Sequence, residues 1–215
     1  MEGALTAITK ASPWADLIEL RVDYLKDPNL ALLVNDRPKP FIVTNRRKEE
    51  GGRYHGDEKM RWGILKKAIE LDVDYIDVEM RSKRSSIEAL MAYRRANHKK
   101  TRFILSFHEF QWTPSQKELR NVCDRMSRWE ADMAKVVTFA RSWEDNLNVL
   151  SLISYARERG QKIVAFCMGE KGKMSRIFAP FLGAAWTYAS LSHDRASAPG
   201  QMTVQKMRDL WERLR

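Results

Sequence analysis

From residue 17 onward the chain repeats one unit, a short apolar or alternating run followed by a longer stretch with helical spacing. Residues 17–23, 40–45, 75–80, 103–108, 134–139, 162–168 and a short run at 186–188 carry the strand pattern. Between them, Met60, Ile64, Leu65, Ala68 and Ile69, and again Leu119, Val122, Cys123 and Met126, place apolar side chains on one helical stripe that can cover a sheet. The junctions carry matching chemistry. Thr113-Pro114-Ser115-Gln116 reads as a cap, a first-turn proline and a capping-box glutamine, and Gly160 ends a helix begun near Ser142. Residues 203–214 give a closing helix with Val204, Met207, Leu210 and Trp211 on its apolar side. Strand–helix alternation repeated this often requires a parallel sheet, either doubly wound or closed into a barrel. No linker-like stretch divides the chain, so residues 1–215 read as one domain.

The strand interiors choose the barrel. An open sheet covered on both faces gives continuous apolar strands, but here alternate positions are polar in strand after strand. Glu19, Arg21 and Asp23 alternate with Leu20 and Val22. Thr44 and Arg46, Asp77 and Glu79, Ser106 and His108, and Lys135 occupy the equivalent positions, opposite Val43, Val78, Phe107 and Val136. Ionic groups on one face of five strands must converge on a shared, partly enclosed site, which a barrel mouth provides. Taken singly, Asp23 or Asp77 reads equally well as half of a structural ion pair. The expected fold class is α/β, a parallel sheet closed into a barrel.

Composition removes several alternatives. With 44% hydrophobic and 31% charged residues the chain is neither disordered nor collagen-like. No run approaches the roughly 20 apolar residues of a membrane-spanning helix, and no signal pattern opens the chain. No membrane partner and a cytoplasmic address are expected. Cys123 and Cys167 form neither a disulfide framework nor a metal pair, and no HExxH or Cys/His spacing is present, so no metal is expected. The net charge of +10 raises the question of nucleic acid. The basic clusters are broken, however: Arg46-Arg47-Lys48 runs into Glu49-Glu50, and Lys99-Lys100 and Arg157-Glu158-Arg159 fall at helix ends. They read as solvated faces, and nucleic acid is not the expected partner. The glycine-containing run from Gly169 to Ser175 lacks P-loop spacing, which argues against ATP.

Among the inward polar residues, Lys135 opens an apolar run, Val136-Val137-Thr138-Phe139. Apolar surroundings and cationic neighbours both favour its neutral amine, a nucleophile for ketones that forms a Schiff base. His108 ends a neighbouring strand on the same face and can take or return a proton near neutral pH. The alternative for Lys135 is a structural pairing with Asp77 or Glu79. Phe166, Met168 and Tyr188 either wall the cavity or serve as ordinary core.

A set of motifs in fixed order now carries a resemblance. Glu19-Leu20-Arg21-Val22-Asp23, Thr44-Asn45-Arg46 followed by Glu50-Gly51-Gly52, Tyr75-Ile76-Asp77-Val78-Glu79, Ser106-Phe107-His108, Lys135-Val136-Val137, Met168-Gly169 through Ser175-Arg176, and Ser197-Ala198-Pro199-Gly200-Gln201 span most of the chain. Together they resemble the type I 3-dehydroquinate dehydratases, and look particularly like the dehydratase domain of bifunctional dehydratase/shikimate dehydrogenase proteins. The resemblance implies a (βα)8 TIM barrel and a cofactor-free hydro-lyase of the shikimate pathway. Its small-molecule substrate would be 3-dehydroquinate, which loses water by syn elimination to give 3-dehydroshikimate. It gives Lys135 the attack on the ketone, His108 the removal of the adjacent proton and assistance to the departing hydroxyl, and Glu50 the polarising of that histidine. Arg176 matches the grip on the substrate carboxylate. Glu19, Arg21 and Arg46 match residues around the ring hydroxyls, and Ser197 and Gln201 a closing loop. Asp77, Glu79, Met168, Phe166 and Tyr188 support the site. Glu50, Arg176, Ser197 and Gln201 rest on the resemblance alone.

One departure stands out. The family has a strand and helix before the Glu-x-Arg strand, whereas eighteen residues precede Glu19 here. A βαβ crossover needs about a dozen residues or more, so the first βα unit is expected to be shortened or missing, with at most a vestigial strand at residues 4–8. Either residues 1–12 form that short unit or a partner subunit fills the opening, which leaves a homodimer open. Two other readings compete: a different class I Schiff-base lyase or aldolase, and a non-catalytic basic scaffold.

Overall fold

A computed structural model describes residues 1–214. The fold is α/β with six strands among the described residues, and every described strand pairing is parallel. Two compact units divide the chain, Met1–Leu105 and a second from Ser106 onward.

In the first unit, β1 (Ile18–Arg21), β2 (Phe41–Thr44) and β3 (Tyr75–Glu79) follow chain order. Ile18 pairs with Phe41 and Ile42 with Tyr75. β4 (Arg102–His108) begins beside β3, where the Arg102 amide donates to the Asp74 carbonyl at 2.9 Å, and the unit boundary falls within it. Helices α1 (Glu2–Ala11), α2 (Leu30–Val34), α3 (Glu58–Glu70) and α4 (Arg84–Ala96) complete this unit. Its core is the apolar set opposite the ionic face, with Val43, Ile76 and Val78 fully buried against Leu65, Ala68 and Ile69 of α3 and Ile87 of α4. Asp57 caps α3 by accepting the Met60 amide at 2.7 Å.

In the second unit, β5 (Met133–Phe139) pairs with β6 (Ile163–Met168) from Ala134↔Ile163 to Phe139↔Met168. Helices α5 (Gln116–Ser127), α6 (Asp145–Arg157), α7 (Lys173–Phe178) and α8 (Val204–Leu214) accompany them. Leu119, Cys123 and Met126 of α5 are buried, as their spacing predicts.

Four local expectations need correction. Residues 4–8 are not a vestigial strand but lie inside α1, because Ala4, Leu5 and Ile8 recur at helical spacing and bury Ile8. Residues 186–188 form no strand. The Ala185 amide donates to the Ile163 carbonyl at 2.8 Å, but the Tyr188 carbonyl is taken by the Arg176 side chain, and Ser190 forms an isolated bridge with Thr203 instead of β6. The α5 cap is Ser115 with a capping-box Glu118, not Thr113 with Gln116. Thr113 instead donates its hydroxyl to the Phe139 carbonyl at 2.9 Å. Finally, Met60 is 64% exposed, and its expected place on the α3 stripe is taken by Arg61.

Candidate active site

The polar face of β1 to β3 is an ion-pair lattice. Register puts Arg21, Thr44 and Asp77 in one row. Thr44 donates to Glu19 Oε1 at 2.7 Å. Arg21 forks onto Asp23 at 2.8 and 2.7 Å, and Asp23 also accepts the Arg53 amide at 3.0 Å. Arg46 reaches Asp77 at 2.8 Å and Glu79 at 3.1 Å. Burial works against a charge on Arg46, but Asp77 and Glu79 outweigh it and hold the guanidinium firmly cationic. Asp23 and Asp77 therefore do act as ion-pair partners in the fold.

Glu50 sits in a single 3-10 turn, Lys48–Glu50, just beyond β2. Burial pushes its carboxyl up to about 7; Arg46 opposes the shift, while Glu79 and Asp77 add to it. The lattice thus contains one carboxyl poised to titrate near neutral pH.

In the second unit, Lys135 is 5% exposed on β5. Its pairing with Val164, and those of Val137 with Phe166 and Phe139 with Met168, put Phe166 and Met168 on the face that carries Lys135. The lysine Nζ lies 4.4 Å from the Tyr188 ring centroid, and the Tyr188 and Phe166 rings tilt against each other at 5.8 Å. The Arg176 guanidinium in turn lies 4.2 Å from the Phe166 centroid. An aromatic pair therefore stands between the Lys135 side-chain nitrogen and a guanidinium, and the Arg176 cation faces its ring as cation–π attraction favours.

Arg176 is 1% exposed on the short helix α7. Its Nη1 donates to the Tyr188 carbonyl at 3.4 Å, and its Nε and Nη2 make no hydrogen bond. Burial lowers its pKa to about 10, so it stays cationic at neutral pH. A buried planar cation with two donors still to satisfy suits a carboxylate. Ser175, its neighbour, fixes this helix by accepting the Cys167 amide at 2.8 Å and donating its hydroxyl to the Gly172 carbonyl at 2.8 Å. Asn146, fully buried in α6, accepts the Ser175 amide at 3.1 Å and donates to the Trp143 and Lys171 carbonyls.

His108 ends β4, is 7% exposed and stacks on Phe110 at 5.9 Å. The next residue, Glu109, donates its amide to the Val137 carbonyl at 2.8 Å, which brings the end of β4 beside β5. In the loop before α8, Ser197 donates its amide to Gln201 Oε1 at 2.8 Å and its hydroxyl to the same atom at 3.3 Å. That loop is tied down where the Gly169 amide donates to the Pro199 carbonyl at 3.0 Å. Gly200 has φ +75, and a Cβ there would lie 2.1 Å from the Gly169 oxygen, so only glycine fits.

The structure thus brings Glu19, Arg21, Arg46, Glu50, Asp77 and Glu79 into one unit, and Lys135, Phe166, Met168, Tyr188, Arg176, His108, Ser197 and Gln201 into the other. Sequence reasoning missed Arg61 and Asn146. The legible signal for Arg61 was its spacing, four residues before Leu65 and on the same helical stripe.

Parallel strands and a short helix that carry buried ionisable side chains, with a lysine among them, define an α/β enzyme. The chain belongs to the type I 3-dehydroquinase family, whose sequence model matches residues 1–214. A 3-dehydroquinate dehydratase of Desulfotalea psychrophila is 35% identical over 199 residues, 93% of this chain and 87% of that protein. The chloroplastic bifunctional 3-dehydroquinate dehydratase/shikimate dehydrogenase of Arabidopsis thaliana is 36% identical over 201 residues, 92% of this chain and 32% of that protein. A crystal structure of the 3-dehydroquinate dehydratase from Aquifex aeolicus superposes with a TM-score of 0.80 at 29% identity, covering 99% of this chain and 94% of that one.

Proposed function

We propose that this chain is a type I 3-dehydroquinate dehydratase, a hydro-lyase of the shikimate pathway that serves aromatic amino acid biosynthesis. The observation that carries the reading is Lys135 on Tyr188 and Arg176 on Phe166, a buried amine and a buried guanidinium held by one aromatic pair. A ring substrate bearing both a ketone and a carboxylate matches that spacing of chemistries.

In this reading the Lys135 amine adds to the substrate ketone and water leaves, giving an iminium. The iminium acidifies the adjacent carbon, His108 takes its proton, and the ring hydroxyl departs as water with a proton returned by His108. Hydrolysis of the imine then frees 3-dehydroshikimate and the amine. Arg176 holds the carboxylate through its two donors, and Ser197 and Gln201 close over the ring. Glu50 polarises the histidine, while Glu19, Arg21 and Arg46 meet the ring hydroxyls, as the family resemblance assigns. Asp77 and Glu79 support Arg46, and Phe166, Met168 and Tyr188 form the apolar wall. The chemistry needs no cofactor.

We read residues 1–215 as one domain of the (βα)8 barrel class, a reading supported by a single family match over residues 1–214 and the likeness to the Aquifex aeolicus structure. A cytoplasmic location accords with the absence, among the described residues, of any helix long and apolar enough to cross a membrane. The direct test is to mix the protein with 3-dehydroquinate and follow the conjugated enone by ultraviolet absorbance. Wild type should produce it, Lys135→Ala should not, and His108→Ala should form the imine yet stall before elimination. His108→Ala with near-normal turnover would refute the base assignment.

A further inference from the structure

Arg61 occupies a helix position that periodicity reserves for an apolar residue, and it is fully buried there. A cation in such a place is costly unless its donors are satisfied and its charge is paired. Its contacts are specific. Nη1 reaches Glu79 Oε2 at 2.8 Å and donates to the Asn45 carbonyl at 3.2 Å. Nη2 donates to Ser82 Oγ at 3.3 Å, and Nε and Nη2 fork onto Glu58 at 2.9 and 3.1 Å. The other oxygen of Glu79 accepts from Arg46 Nη1 and from the Arg47 amide, both at 3.1 Å. Arg61 and Glu79 together therefore hold three consecutive residues at the end of β2: the carbonyl of Asn45, the side chain of Arg46 and the amide of Arg47.

We propose that Arg61 is a positioning residue for substrate binding, setting the aim of Arg46 through the shared carboxylate of Glu79. The inference rests on the assignment of Arg46 to the substrate's ring hydroxyls. Charge counting supports it. Two buried guanidiniums, Arg46 and Arg61, face two buried carboxylates, Asp77 and Glu79, and the half-exposed Glu58 is a further carboxylate on Arg61. Without Arg61, two carboxylates compete for one guanidinium, and the Asn45 carbonyl and Ser82 hydroxyl lose a partner. Arg46 is then drawn deeper onto Glu79, away from a ligand. The apolar contacts of α3 come from Leu65, Ala68 and Ile69, so the helix keeps its own packing when the guanidinium goes. Lysine at this position restores a charge but not the fork that reaches Glu79, Glu58 and Asn45 at once.

The test compares wild type, Arg61→Met and Arg61→Lys in turnover of 3-dehydroquinate and in borohydride trapping at saturating substrate. Arg61→Met should raise KM about tenfold while the fraction of chain trapped as the reduced adduct stays at the wild-type level; Arg61→Lys should raise KM less. If Arg61→Met does not fold, Arg61→Lys carries the comparison, with a raised KM and full trapping as the expected result. An unchanged KM in the folded variant overturns the inference while leaving the dehydratase reading intact. So does a loss of trapping that parallels the loss of turnover, since that marks a general structural role. Wild type that gives neither enone nor adduct overturns the dehydratase reading and this inference with it.

Discussion

A carboxyl poised near neutrality makes Glu50 the most informative single residue. Burial raises it from 4.5 to about 7, so the folded chain binds that proton more tightly than the unfolded chain does. The stability it contributes is fully present below the unfolded value and is lost as pH rises through about 7. Glu50→Gln should therefore raise the melting temperature relative to wild type at pH 8 and change it little at pH 4.5, with a difference of at most about 3 kcal/mol. Activity runs the other way. If ionised Glu50 polarises His108, kcat/KM falls as pH drops below about 7, and Glu50→Gln loses that limb of the profile. Tyr188 gives a second prediction. Its ring faces the Lys135 amine, which becomes cationic as the proposed iminium, and such contacts are worth about 0.5–2 kcal/mol. Tyr188→Phe should keep kcat/KM within about twofold and Tyr188→Leu should lose about tenfold, a contrast read by steady-state kinetics. Alternation alone singled out Lys135, His108 and Arg46 as candidates, because strand geometry links parity to face. It could not reach Glu50 or Arg176, which lie on a 3-10 turn and a six-residue helix where parity says nothing.

At the scale of elements, caps and glycines carry the positioning. The capping box on α5 satisfies two orphan amides, and Ser115→Ala should cost about 1 kcal/mol in urea unfolding while leaving KM unchanged. The loop bearing Ser197 and Gln201 docks through Gly200 against Gly169, with φ values of +75 and +86. Gly200→Ala should raise KM severalfold with little change in melting temperature, because the clash falls on the loop and not on the core; an unchanged KM would show that docking is dispensable. Strand positions 18–21 and 75–79 were legible from alternation, and 41–44 from a short run of apolar residues ending in Thr44. Residues 186–188 misled for a physical reason: Trp186, Thr187 and Tyr188 have strand propensity, but a buried arginine claims the carbonyl a ladder would use. Arg61 was missed by the opposite route. A charged residue gives no apolar signal on a helical stripe, and Glu79 and Glu58, which receive it here, are brought to it by the fold.

For the whole molecule, the net charge of +10 separates a small anionic substrate from a polyanion. A monocarboxylate held by Arg176 should show only a shallow fall of kcat/KM between 50 and 200 mM salt, whereas nucleic acid binding would weaken by orders of magnitude over about that range. The α/β class was legible from the repeated strand–helix pattern, and the family from motifs in fixed order between Glu19 and Gln201. At the start of the chain the shortening of the first unit was legible from the residue count, since α1 precedes β1 with no strand before it among the described residues, but the helical state of residues 4–8 was not. The central claim is that Lys135 forms a covalent imine with the substrate ketone. Reduction of the protein by borohydride in the presence of 3-dehydroquinate, followed by peptide mass mapping, tests it most directly. The account predicts one stable adduct on Lys135, absent without substrate and absent in Lys135→Ala. Enone formation with no adduct on Lys135, or an adduct on another lysine, would contradict it.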